Sequence, residues 1–154
     1  MLSMRTVIKI TLILLASFIA VNTIEAKKKK YPNGDYYEGE WKKGKPHGKG
    51  KMIYANGNVY EGEWLLGKKS DRGSMRYANG DVLEGTWDND SISEGVMLYS
   101  NGCVYVGCWK NEEPSGIGEF KDCDKNIFEG YFINGVPQKG KLKYKNGDYS
   151  EGLF

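Results

Sequence analysis

Side chains that do chemistry are scarce in this chain, and their spacing offers little. His47 is the only histidine, so no Ser-His-Asp or Cys-His set can be assembled more than once. It stands in Lys45-Pro46-His47-Gly48, a loop-forming stretch, and the expectation is a structural role rather than general base catalysis. Asp122-Cys123-Asp124-Lys125-Asn126 begins like a calcium loop, but Ile127 stands where position six requires glycine. It reads as an acidic turn, and so does Asp88-Asn89-Asp90. No catalytic residue, metal site or cofactor is expected.

The other chemistry on offer is thiol chemistry, and it depends on the compartment. Arg5 and Lys9 precede an apolar run from Ile10 to Val21, followed by polar Asn22 and Thr23 and by a small residue, Ala26. Residues 1–26 therefore have the layout of a secretory signal peptide cleaved after Ala26. The alternative is a membrane anchor over residues 7–24, which Lys27, Lys28, Lys29 and Lys30 would favour by resisting translocation. In an exported chain the odd set Cys103, Cys108 and Cys123 implies one bridge and one spare thiol; three reduced strand residues are the other reading.

All 21 glycines lie at or after Gly34, about one residue in six from there on, against a typical ~7%. Glycine this dense disfavours long helices, and the abundant aromatics argue against disorder. Charge is polarised along the chain: residues 27–69 hold 11 Lys against 5 Asp/Glu, and residues 70–135 hold 5 Lys/Arg against 12 Asp/Glu. An acidic middle repels phosphates, so no nucleic-acid partner is expected.

The elements that carry these residues are repeats. Tyr37-Glu38-Gly39-Glu40-Trp41 recurs at Tyr60–Trp64, Leu83–Trp87, Tyr105–Trp109, Phe128–Phe132 and Ser150–Phe154, in steps of 23, 23, 22, 23 and 22 residues. A second glycine follows in each full unit, at Gly50, Gly73, Gly95, Gly118 and Gly140. The gap from second glycine to the next first glycine is always 12, while the gap inside a unit is 11 or 10. Length variation is thus expected in one hairpin loop, six residues long from Lys42 to His47 in the first unit.

Taken with Gly44-Lys45-Pro46-His47-Gly48-Lys49-Gly50 and Tyr54-Ala55-Asn56-Gly57, this pattern resembles the MORN repeat family. The resemblance covers residues 31–154 as five full units plus one terminal strand, with residues 27–30 as a basic linker. It departs from the family where Asp71, Ser93 and Gln138 replace the His-Gly element. It implies an interaction or scaffolding module without enzyme activity, in some members proposed to contact membrane phospholipids.

Period-two facing gives the same architecture from the residues alone: all-β, an elongated single-layer antiparallel meander of tandem β-hairpins with about eleven strands. Pairing Gly39 with Gly50 sets Trp41 beside Gly48 and Tyr37 beside Met52. At Ala55-Asn56-Gly57 a three-residue turn with left-handed Gly57 keeps Met52 beside Tyr60, whereas a two-residue turn would invert the next strand's facing. One face then carries a glycine row flanked by aromatic rows. The opposite face is expected to pair Glu40 with Lys49, Glu63 with Arg72 and Glu129 with Lys141. In this register Cys103 lies opposite Asp122, so Cys103 and Cys123 are the pair expected to bridge, with Cys108 on the other face.

The rings either cover their own face as a core or stand ready for a protein partner. Trp41, Trp64, Trp87, Trp109, Tyr37, Tyr60, Tyr105 and Phe128 are the expected anchors, since Trp and Tyr are common at interfaces. The alternative is anionic lipid, held by Lys27, Lys28, Lys29, Lys30, Lys42, Lys43, Lys45, Lys49 and Lys51. The functional expectation is a non-enzymatic protein-interaction or scaffolding module, in the periplasm or secreted.

Overall fold

The computed structural model describes residues 26–154; the signal segment and the alternative anchor lie outside the described residues, apart from Ala26. Among those residues there is no helix. Twelve strands follow one another: β1 (Lys27–Lys30), β2 (Tyr36–Lys42), β3 (Lys45–Ile53), β4 (Val59–Leu65), β5 (Lys68–Arg76), β6 (Val82–Asp88), β7 (Ser91–Leu98), β8 (Val104–Lys110), β9 (Glu113–Lys121), β10 (Ile127–Ile133), β11 (Val136–Lys143) and β12 (Tyr149–Leu153). They form one antiparallel sheet in sequence order, each strand bonded to the next.

The glycine register is as the spacing predicts. Gly39 faces Gly50, Gly50 faces Gly62, and the row continues through Gly140 opposite Gly152. The short connections are three-residue turns: the Gly57 amide donates to the Tyr54 carbonyl at 2.9 Å, with Gly57 at φ 90°. Met52 accordingly lies beside Tyr60.

Two expectations are corrected. Lys27–Lys30 is a strand and not a linker: Lys27 pairs with Gly39 and Lys29 with Tyr37. Tyr31-Pro32-Asn33-Gly34 repeats the turn signal of Tyr54-Ala55-Asn56-Gly57, so β1 stands to β2 as the return strand β3 stands to β4.

The six-residue loop is also absent. Strands β2 and β3 run on to pair Lys42 with Lys45, leaving only Lys43 and Gly44 as the turn. Both have positive φ, 50° and 74°, the signature of the two-residue turn whose twist matches a hairpin. Four more hairpins close likewise, at Leu66-Gly67, Asn89-Asp90, Asn111-Glu112 and Asn134-Gly135.

The length difference is absorbed by β-bulges instead. In units with an 11-residue gap the return strand carries two extra residues, so that Trp41 faces Pro46 rather than Gly48. Where the gap is 10 it carries one, as between Tyr131 opposite Lys139 and Phe132 opposite Pro137. The longer bulge requires a left-handed residue, supplied by Gly48, Asp71 and Gly116 at φ 60°, 51° and 99°.

Candidate functional site

A sheet one layer thick must cover its glycine row or leave bare backbone in water. Here each tyrosine folds across the glycines of its own hairpin, and each tryptophan reaches back to the hairpin before. The Tyr37 hydroxyl donates to the Glu40 carbonyl at 3.0 Å, Tyr60 to Glu63 at 3.2 Å, and Tyr105 to Cys108 at 2.9 Å. The indole N–H of Trp64 donates to Gly50, that of Trp87 to Gly73 and that of Trp109 to Gly95, at 3.2, 3.2 and 3.3 Å. Trp41 donates to Lys27 at 3.0 Å, so β1 takes the place of a preceding return strand. Edge-to-face contacts join the rings, with Tyr60 5.1 Å from Trp64 and 5.5 Å from Trp87.

These rings form the core. Trp64, Trp87, Trp109, Tyr37, Tyr60, Tyr105 and Phe128 are each no more than 5% exposed, and Trp41 is half-buried. The expectation that they stand open as partner anchors is therefore corrected: the glycine row lets the rings lie flat, and lying flat buries them. Burial also raises the phenol pKa values, to about 12 for Tyr37 and Tyr105.

The third unit has Leu83 in place of the ring. There Ile92, 3% exposed, fills the space: its Cδ1 lies 2.7 and 2.8 Å from where a Cβ would stand on Gly85 and Gly95. Lys69 is buried too. Its ammonium lies 4.1 Å from the centre of the Trp87 ring, and burial pushes its pKa below the ordinary lysine value.

The remaining chemical candidates take structural places. His47 Nδ1 accepts a hydrogen bond from the Leu66 backbone at 3.4 Å. Asp122 accepts from the side chain and backbone of Asn126 at 2.7 and 2.8 Å, which closes a turn; the Asn126 side chain is the main reason its carboxyl pKa is lowered. Among the described residues no group of three or more His, Cys, Asp or Glu side chains is placed to hold a metal. Cys103 and Cys123 form a disulfide with Cα atoms 4.8 Å apart, and Cys108 is a part-buried free thiol.

The basic residues do not gather on one surface. Lys27 and Lys29 share the ring face with Gly39 and Tyr37, while Lys28 and Lys30 lie on the other. The Lys29 ammonium sits over Tyr31 and Trp41, 4.9 and 5.5 Å from the ring centres. Lys49 and Lys51 are on the outer face, Lys42 and Lys45 pair at the hairpin end, and Lys43 is in the turn.

Of the side-chain rows on the outer face, opposite the rings, two flank the glycine backbone directly, and a further row, with Lys121 two residues from Glu119, lies beyond them. In the row before the first glycines stand Lys28, Glu38, Lys51, Glu61, Ser74, Glu84, Val96, Val106, Glu119, Glu129, Lys141 and Glu151, paired in that order. Ion pairs join Lys28 to Glu38 at 3.2 Å and Lys51 to Glu61 at 3.8 Å. The three expected pairs are not formed at ion-pair distance among the described residues. The bulges shift the register, so Lys49 faces Glu63 and Glu63 faces Ser70. Lys141 does face Glu129, but its ammonium is stacked 4.2 Å from the Tyr149 ring centre.

Over β8 to β10 exposed apolar side chains stand among the charges of the outer face. Val106 is 45% exposed, Ile117 67% and Tyr131 47%, large values for side chains of their kind at neighbouring places on one sheet. These positions were not among those singled out in the sequence. The signal was present: the residue before the first glycine runs Glu38, Glu61, Glu84, Val106, Glu129, Glu151, and Val106 alone departs.

The MORN repeat model matches residues 37–59, 60–82, 105–127 and 128–149, more than half of the chain. The chain belongs to the MORN repeat family. The stretch the model passes over, between residues 82 and 105, is the unit in which Leu83 and Ile92 replace the covering ring of this MORN array. MORN repeats are in general protein- or membrane-interaction modules and typically non-enzymatic. No curated protein matches the chain. Among solved structures it is similar to the SAS-4 (dCPAP) TCP domain of Drosophila melanogaster in complex with a proline-rich motif of Ana2 (dSTIL), at 14% identity over 86% of each chain and a TM-score of 0.38. It is also similar to the TCP10c domain of Drosophila melanogaster Sas-4, at 15% identity over 86% of this chain and 96% of that one, with a TM-score of 0.38.

Proposed function

We propose that this MORN array is an exported, non-enzymatic interaction module that engages a protein partner through the outer face of its sheet. The observation that carries the reading is the contrast between faces. On the ring face Tyr37, Tyr60, Tyr105, Trp64, Trp87 and Trp109 are buried and hydrogen-bonded within the array, whereas Val106, Ile117 and Tyr131 stand in water on the outer face. An exposed apolar patch on a folded domain marks an interaction surface. Export is supported by the short apolar run ahead of Ala26, and β1 begins at Lys27, so cleavage after Ala26 would leave the sheet whole.

Anionic lipid is the weaker reading, since the lysines are divided between faces and two of them are already paired. The test compares capture of the partner from the cell envelope by the wild-type protein and by Ile117→Asp. Capture should be lost with the melting temperature unchanged; undiminished capture by the variant refutes the outer-face site. Intact-mass measurement tests export through a chain beginning at Lys27, and full-length protein in the membrane fraction would establish the anchor instead.

A further inference from the structure

On the outer face the charges on the two halves of the sheet behave differently. Over β1 to β4 the row before the first glycines alternates Lys28, Glu38, Lys51 and Glu61, and ion pairs form. Over β6 to β10 the row before the first glycines reads Glu84, Val96, Val106, Glu119 and Glu129. The row after them holds Thr86, Glu94, Cys108, Ile117 and Tyr131. That is four carboxylates around an apolar centre, with no base in either row.

None of the four has a cation within ion-pair distance among the described residues. Lys141 is turned onto Tyr149, and Ser74 is the neighbour of Glu84 across the strands. Glu119 stands directly opposite Glu129, a like-charged cross-strand pair that destabilises a sheet. A cation placed between them would relieve that repulsion, and aliphatic side chains beside it would cover Val106 and Ile117.

We propose that the outer face of β6 to β10 docks a cationic, aliphatic segment of a partner protein, its Arg or Lys side chains meeting Glu84, Glu94, Glu119 and Glu129 while its apolar side chains cover Val96, Val106, Ile117 and Tyr131. The proposal rests on the outer-face reading above and adds the chemistry of the partner. Glu84 and Glu119 are three strands apart, about 14 Å at ~4.8 Å per strand. That span matches two bases about four residues apart in an extended chain at ~3.3 Å per residue. Carboxylates rimming a patch steer such a segment and set its register, and apolar contact holds it.

The test is fluorescence anisotropy of a labelled peptide with Arg-Leu-Val-Leu-Arg at its centre, titrated with the exported protein. Saturable binding is expected, weakened at least tenfold by Glu119→Lys with Glu129→Lys and at least tenfold when the peptide's central residues are serine. The double variant Glu119→Gln with Glu129→Gln separates binding from folding: it should raise the melting temperature while weakening the peptide. Bound peptide should also slow maleimide labelling of Cys108, the thiol at the centre of the patch. No saturable binding, or equal binding by the serine-centred peptide, overturns the proposal. If the captured natural partner is lost with Ile117→Asp but kept by Glu119→Lys with Glu129→Lys, the acidic rim is refuted while the outer-face reading stands.

Discussion

The indole N–H of Trp87 donates to the carbonyl of Gly73 at 3.2 Å, across a sequence separation of 14 residues. The ring thereby seals one hairpin against the backbone of the hairpin before it through a part-buried hydrogen bond. Trp87→Ala should cost about 3 kcal/mol or more through the cavity it leaves, a fall in melting temperature of roughly 10 °C. Trp87→Phe keeps most of the apolar contact and should cost less, chiefly the lost hydrogen bond at ~1 to 2 kcal/mol. Thermal melts followed by circular dichroism check both, and the folded alanine variant should bind its partner normally.

Among the described residues Lys125 is the one non-glycine at the left-handed position of the three-residue turns, at φ 73°, where Gly34, Gly57, Gly80, Gly102 and Gly147 stand in the others. A side chain in this region is strained by roughly 1 kcal/mol. Lys125→Gly should therefore raise the melting temperature by a few degrees; a lower one would show that the lysine side chain compensates elsewhere.

The Cys103 to Cys123 bridge closes a loop with a sequence separation of 20 residues and should stabilise the fold by about 3 kcal/mol. Reduction, or Cys103→Ser with Cys123→Ser, should lower the melting temperature by roughly 10 °C. Peptide mapping without reductant should recover that pair and leave Cys108 open to maleimide. Recovery of Cys108 in the main bridge would contradict the observed register.

Alkaline pH should unfold the array through its tyrosines. Their folded pKa values lie above the unfolded value of 10.0, because burial disfavours the phenolate, and reach about 12 for Tyr37, Tyr54 and Tyr105. The folded state holds these protons where the unfolded chain loses them, so the stabilisation is complete below pH 10 and lost as pH rises towards 12. Lys69 contributes the opposite slope just below its unfolded value of 10.5, since its folded pKa is lowered. Tyrosine absorbance and far-ultraviolet dichroism should change together in that window. Phenol ionisation with the sheet intact would show that the rings are more open than their burial indicates.

Much of the fold was legible because its determinants are local. Period-two facing, glycine spacing and the Asn-Gly turns fixed which residues pair, and Gly39 opposite Gly50 followed without any long-range information. The first strand was legible as well, in the turn signal at Tyr31-Pro32-Asn33-Gly34, but four consecutive lysines masked its alternation.

What the sequence determined by itself was the repeat, its glycine register and the scarcity of reactive side chains, since each is a matter of spacing along the chain. Only the tertiary structure decided how the hairpins close. Left-handed backbone at Lys43, Leu66 and Asn89 is unfavourable in isolation, and it is adopted because the tight turn lets the strands pair to their ends while a bulge takes up the surplus. The fate of the rings was decided at the same level. Whether Trp87 projects or lies flat depends on a carbonyl in the preceding unit. The departure at Val106 is readable along the chain, but the acidic, apolar patch exists only where β6 to β10 lie side by side, because its residues come from separate hairpins.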